Sequence, residues 1–186
     1  MDTVQHPALS RLAEALGDGV VEAGSPMGEA TAIVKPELWE TAARLLKEDA
    51  ACQFNLLVDL TLVDYLSQEG RPRFEVVAHF HSIPQNQRIR LKTRLDDGDL
   101  ELPTLTALWG NANWLEREAY DMFGIRFRGH PQLRRILLYE EFQGHPLRKG
   151  YPLRGQQPLV SLLEVIEPVT MSSEPQRFPP EPRFKT

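Results

Sequence analysis

Three stretches in the middle of the chain alternate apolar and polar residues one by one, and that alternation restricts the possible folds more tightly than anything else in the sequence. In the first, Phe54, Leu56, Val58, Leu60 and Leu62 fall on one face of an extended chain; in the second, Phe74, Val76, Ala78 and Phe80 do. In the third, Ile89, Leu91, Thr93 and Leu95 face one way while Arg88, Arg90, Lys92 and Arg94 face the other. Side chains alternate sides in this way only along a strand, so each stretch reads as a strand with one buried face. Gly70 and Pro72 break the first connection, Pro84 and Asn86 the second, and connections this short join antiparallel neighbours.

Helical spacing flanks the strands. Leu9, Leu12, Ala13 and Leu16 follow Pro7 and stop at Gly17, and Leu38, Ala42, Leu45 and Leu46 follow Pro36 up to about Asp49. Brief strands are expected over 19–22 and 30–34. Pro103 introduces a helical turn up to Trp109. Asn113 with Glu116 three residues on predicts a capping box, opening a helix that places Leu115, Ala119, Met122 and Phe123 on one face and ends at Gly124. The expected fold class is α+β, a mixed or antiparallel sheet with helices packed on one face. The chain divides into an α+β core domain over 1–125, a basic irregular docking segment over 126–154 and an extended Pro-rich tail over 155–186. Six of the 15 prolines lie in that tail, which at about 3.3 Å per residue could reach on the order of 100 Å.

The chemistry that the sequence omits is equally informative. Across 186 residues there is no G-x-G-x-x-G, no G-x-x-x-x-G-K-[ST], no H-E-x-x-H and no G-x-S-x-G. Cys52 is the single cysteine, so the chain makes no internal disulfide and cannot ligate an iron–sulfur cluster, which takes about four ligands. It precedes an apolar run and reads as a small core residue. No apolar stretch is long enough to span a bilayer, and the N-terminus lacks the basic start and apolar core of a secretion signal. Membrane contact is therefore expected only through partners.

Charge is unevenly spread. Between Gly124 and Arg154 stand Arg126, Arg128, Arg134, Arg135, Arg148, Lys149 and Arg154 against Glu140 and Glu141, within a chain of net charge −5. A basic docking surface on an acidic body follows, or else solvated arginines on a loop. The basic row on the third strand invites a nucleic-acid reading, which Glu75 on the neighbouring strand and the acidic total oppose. His79 and His81 share a face but lack further ligands of comparable clarity, so no metal is expected. Glu116, Glu118 and Asp121 could supply an acid/base pair, and a hydrolase using Glu118, Asp121 and His130 can be written. A charged helical face meeting a basic surface, with Arg117 offsetting Asp121, explains them without a substrate.

The run Trp114-Leu115-Glu116-Arg117-Glu118-Ala119-Tyr120-Asp121-Met122-Phe123-Gly124-Ile125, followed by Gly129-His130-Pro131 and Leu133-Arg134-Arg135-Ile136-Leu137, resembles the signature of the C subunit of proton-pumping NADH:quinone oxidoreductase, respiratory complex I. The likeness extends upstream through Asp59–Tyr65 and downstream through His145-Pro146-Leu147-Arg148-Lys149-Gly150-Tyr151-Pro152-Leu153, covering most of residues 30–154. Gly150 stands where the family usually has aspartate, and Gly110-Asn111 replaces a proline-containing turn. The resemblance implies a peripheral-arm subunit on the cytoplasmic side of the bacterial inner membrane. It would touch the quinone-site and terminal-cluster subunits and bind no cofactor itself, with FMN and iron–sulfur clusters held by partner subunits. It implies no catalytic residue in this chain. Glu116, Arg117, Glu118, Asp121, His130, Arg134, Arg135, Arg148 and Lys149 are then interface or signature residues, with Trp114, Tyr120 and Phe123 as anchors or core. A homologous subunit of an energy-converting hydrogenase-type complex is the alternative.

Overall fold

A computed structural model describes residues 6–154, without Ser67 and Glu69, together with Gln157; the expected tail lies outside the described residues apart from that glutamine. Helix α1 (Pro7–Leu16) opens on its proline, whose fixed φ suits a first helical position, and buries Ala8 and Leu12. Strands β1 (Val20–Gly24) and β2 (Thr31–Val34) form an antiparallel pair. Pro36 starts a single tight 3-10 turn, and α2 (Trp39–Glu48) begins only after it, turning Trp39, Ala42, Ala43 and Leu46 inward. Arg11 on α1 donates to Asp49 at 2.8 Å and ties the two helices together.

The predicted strands follow as β3 (Leu56–Asp64), β4 (Phe74–Ser82) and β5 (Gln87–Leu95). With the first two they make a five-stranded sheet in the order β1-β2-β5-β4-β3, antiparallel except where β2 runs parallel to β5. One face carries the core, where Phe74, Val76, Ala78, Phe80, Ile89 and Leu91 meet Leu12, Trp39, Leu46, Met122 and Phe123 from the three helices. On β5 the alternation is as read from the sequence.

On β3 it is not. Leu57 faces the core, whereas Leu56 is 39% and Val58 53% exposed. The pairing passes from Leu57 opposite Phe80 to Asp59 opposite His79, so Val58 is an extra residue in a β-bulge that resets the phase before Leu60 and Leu62 turn inward. Three consecutive apolar residues, Leu56-Leu57-Val58, leave the phase ambiguous in sequence, and the bulge decides it.

The opposite face of the sheet is a lattice of ion pairs. Glu75, 2% exposed, receives Lys92 at 2.8 Å and Arg71 at 3.2 Å, with Arg94 at 3.5 Å. Arg94 also reaches Glu22, and Arg90 reaches Glu29. Much of the outward basic row is thus neutralised within the chain.

Beyond the sheet, β6 (Glu101–Pro103) and β7 (Arg126–Arg128) pair in parallel around α3 (Ala112–Phe123). A helical turn between Leu105 and Trp109 leads into α3. The predicted capping box does not form. Asn111 occupies the N-cap without a side-chain cap, Asn113 already lies inside the helix, and Glu116 turns into the core instead of back toward its own N-terminus. The Asn111 side chain is occupied elsewhere, donating to the Leu57 carbonyl at the bulge, 2.7 Å away.

Candidate functional site

Helix α3 is unusual in what it buries: Glu116, Arg117 and Asp121 lie inward together with Ala119, Met122 and Phe123. Burying charge costs several kcal/mol per ion, in order of magnitude, unless partners replace water. Here the following chain supplies them. After β7 it runs as an irregular strap beside α3, from the helix N-terminus toward its C-terminus.

Near the start, the His130 ring bonds the Asn113 carbonyl through Nε2 at 3.3 Å, and its Nδ1 accepts the Gln132 amide at 3.0 Å. Those partners assign the proton to Nε2. One turn on, Arg117 donates from Nε to the Arg134 carbonyl and from Nη2 to the Arg135 carbonyl, each at 3.2 Å. Asp121 comes next. Its Oδ2 accepts three successive amides, of Ile136 (3.0 Å), Leu137 (2.8 Å) and Leu138 (2.9 Å), and its Oδ1 accepts Arg135 Nη1 at 2.7 Å. Burial alone would raise the Asp121 pKa, but these donors outweigh it and hold the carboxyl below its ordinary range. Arg135 also donates to the carbonyls of Phe142 and Gly144, closing the strap on itself.

At the far end, His145 Nδ1 bonds the Asp121 carbonyl at 2.9 Å, Leu147 donates its amide to Met122 at 3.2 Å, and Arg148 Nε donates to Phe123 at 2.6 Å. These contacts cross directly over Gly124, which ends the helix at φ 77°. A Cβ there would overlap the His145 ring and stand 2.8 Å from Arg148 Nη2, so glycine is required both for its conformation and for the close approach. Burial lowers the pKa of His130 and of His145, keeping both imidazoles neutral at pH 7.

The strap finishes on Asp64, which accepts the Lys149 amide at 2.8 Å, the Leu66 amide at 3.0 Å and Arg73 at 3.1 Å. Sequence reasoning placed Asp64 in the resemblance but assigned it no role. The available signal was its position, since Leu60, Leu62 and Asp64 share one face by period two, and a carboxylate on a core face needs partners. Arg73 turns as well to Asp97 at 2.6 Å. A Cβ on Gly150 would stand 4.0 Å from Arg73 Nη2, so an aspartate at 150 could reach the guanidinium that Asp97 engages in this chain.

Glu116 differs from the other two carboxylates. It is fully buried, and its partners are neutral, the Thr104 hydroxyl at 2.5 Å and the Leu105 amide at 2.6 Å. Burial pushes its pKa up to about 7 against those hydrogen bonds.

Among the expected site residues, the structure therefore joins Arg117, Asp121, His130, Arg135 and Arg148 into one network. Glu116 packs apart from it, on the segment before α3. Glu118 and Arg134 are exposed, and Lys149 contributes its backbone while its side chain has no partner among the described residues. Glu118, Asp121 and His130 do not converge as a hydrolytic centre would require: Asp121 is saturated by four donors, and both His130 nitrogens are bonded within the strap and helix. A shallow cleft lies between β1 and β2, lined by Glu22, Pro26, Thr31 and Ile33 and by no residue of α3 or the strap. Cys52 is buried, and desolvation raises its thiol to about 11, far from a nucleophile's range.

Residues 32–157 match the family described as respiratory-chain NADH dehydrogenase, 30 Kd subunit. The chain is 47% identical over 152 residues to the NADH-quinone oxidoreductase C subunit 2 of Rhizobium etli, covering 81% of this chain and 80% of that protein. It is 44% identical over 181 residues to the C subunit of NADH-quinone oxidoreductase from Rhodobacter capsulatus, covering 95% and 87%. Among solved structures, a trypsin-resistant fragment of Nqo5 superposes with a TM-score of 0.60 at 35% identity, covering 68% of this chain and 99% of the fragment. A chain of an archaeal membrane-bound sulfane sulfur reductase shares the fold at a TM-score of 0.65 but only 20% identity, covering 79% and 85%. At that identity the likeness is one of fold alone. The chain belongs to the C-subunit family of NADH-quinone oxidoreductase, the 30 Kd subunit family of respiratory-chain NADH dehydrogenase.

Proposed function

We propose that this chain is a non-redox structural subunit of the peripheral arm of a proton-translocating NADH:quinone oxidoreductase, giving shape and contact surface to the quinone-reducing module. The observation that supports this reading is the saturation of Asp121: its carboxylate accepts four donors from the strap and so holds the strap on α3. Electrons would pass from NADH through FMN and iron–sulfur centres in other subunits to quinone, with no cofactor held here. The partners are the quinone-site and terminal-cluster subunits, on the cytoplasmic side of the inner membrane. Among the described residues no helix is long and apolar enough to cross a membrane, which fits contact through the complex.

The labour divides along the chain. The core domain over 1–125 serves as the supporting body and 126–154 as the docking segment. Arg117, Asp121, His130, Arg135 and Arg148 fix the geometry of the docking segment, Glu116 holds the turn before α3, and Glu118, Arg134 and Lys149 face outward to partners. Purifying the native assembly through a tag on this chain should recover flavin and iron–sulfur proteins with NADH:quinone reductase activity. A bound prosthetic group, or turnover, in the pure chain would overturn the reading.

A further inference from the structure

Two side chains grip the tripeptide Phe142-Gln143-Gly144 at once. Arg135, itself held by Asp121, takes the carbonyls of Phe142 and Gly144. The backbone groups of Gln143, between them, are taken by a residue from much later in the chain. The Gln157 side chain accepts the Gln143 amide through Oε1 at 2.9 Å and donates from Nε2 to the Gln143 carbonyl at 3.1 Å. Nε2 also donates to the Tyr151 hydroxyl. A carboxamide carries an acceptor oxygen and two donor hydrogens, and each of the three has a partner here. Those partners fix its orientation, since the flipped amide would set donor against donor and acceptor against acceptor at Gln143.

Tyr151 gives this contact a floor. Its ring stacks on Phe142 with centroids 6.1 Å apart, and Phe142 in turn meets Tyr139 edge-on at 5.6 Å. Gly144, at φ 91°, permits the approach: a Cβ there would stand 2.9 Å from Tyr151 Cε2. The loop of residues 143–157 is thereby tied at its two ends and backed by an aromatic stack. Within it Arg148 is anchored on Phe123, whereas Lys149 and Arg154 have exposed side chains. Among the described residues beyond Tyr151, Gln157 is the one whose side chain bonds back to the fold.

We propose that the Gln157 carboxamide is a clasp on the Gln143 backbone, closing residues 143–157 into a ring that opens and shuts without disturbing the Asp121 network. Three hydrogen bonds between neutral groups at a part-exposed site form and break readily, so the ring is a local equilibrium of its own. Shut, it holds Lys149 and Arg154 in place and extends the folded unit past Arg154 to Gln157. Open, it releases the backbone of 150–154 to be drawn out, while Asp121 keeps its hold on the amides of 136–138. The clasp stands on this geometry and is independent of the subunit role proposed above.

The test uses the purified full chain and two readings, deuterium exchange at the Gln143 amide and trypsin cleavage after Lys149 and Arg154. A protease needs its substrate drawn out, so cleavage follows the open population when opening is fast. Gln157→Ala should raise both rates roughly tenfold, with the melting temperature and the exchange of the 136–138 amides unchanged. Gln156→Ala, the same change one position earlier, should leave both rates as they are in the unaltered chain. Should Gln157→Ala lower the melting temperature, Gln157→Glu replaces it: the side chain keeps its shape but cannot donate to the Gln143 carbonyl, and both rates are expected to rise. Unchanged exchange and cleavage in the folded variant overturn the inference. An equal acceleration from Gln156→Ala overturns it as well, as does a loss of protection that spreads to residues 136–138.

Discussion

Two carboxylates five positions apart on α3 meet opposite environments, and the contrast shows how charge is managed at the level of single residues. Asp121 is ionised because four donors surround it; Glu116 has no cation beside it and sits near neutrality in pKa. Hydrogen bonds to a charged group contribute about 1.5–3 kcal/mol, and removing one partner of a buried pair costs about 3–5 kcal/mol. Asp121→Asn keeps the shape but removes the charge and sets an amide group against donors. It should destabilise the chain by about 3 kcal/mol in urea unfolding; a loss below about 1 kcal/mol would show that the strap holds without it. Sequence spacing singled out both residues, but it could not assign their partners. Apart from Arg135 and Thr104, those partners are backbone amides of residues 136–138 and of Leu105, and such groups carry no mark in an amino-acid sequence.

At the level of elements, the helices and strands were readable wherever one period ran unbroken, as on β5, and misread where a local device reset it. The bulge at Val58 shifted β3 by one residue, and the capping box failed because α3 starts one residue before Asn113. The strap was legible only as a loss of periodicity, since irregular chain is organised by side chains from elsewhere. Its junction with α3 provides a direct check. Gly124→Ala must place a side chain in a left-handed conformation that costs roughly 1–2 kcal/mol, and must also displace His145 and Arg148. The expected outcome is a loss of about 2 kcal/mol or more, with the strap exchanging its amide hydrogens faster than the sheet. Uniform exchange would place the strain elsewhere.

For the whole molecule, the α+β class, the single buried face and the family were legible, because they rest on long patterns and a long spaced motif. The parallel contact of β2 with β5 was not, because it depends on which distant strands meet. The titrating groups together set the pH range of the fold. Asp64, Glu75 and Asp121 all have lowered pKa values: burial opposes ionisation in each case and their donors prevail. Their contribution is present above the ordinary carboxylate range and is lost as pH falls through the depressed values. Glu116 works in the other direction. Its folded value of about 7 exceeds the usual 4.5, so its contribution is complete below 4.5 and fades as pH rises through 7. Stability should therefore peak between these limits. Glu116→Gln, which keeps the Leu105 amide bond through Oε1 and donates from Nε2 to the Thr104 hydroxyl oxygen in place of accepting from it, should gain on the unaltered chain between about pH 5 and 8, by at most on the order of 3 kcal/mol. Parallel melting curves across that interval would exclude the effect.

Because the strap meets α3 through anchors of different kinds (an imidazole, a guanidinium, a carboxylate, a glycine crossing), it fits the helix in a single alignment. A slip of one residue would set Arg135 and the amides of 136–138 against the wrong groups all at once. Between His130 and Arg148 the polypeptide can accordingly exchange many outward side chains, but its number of residues is fixed by the helix beneath it.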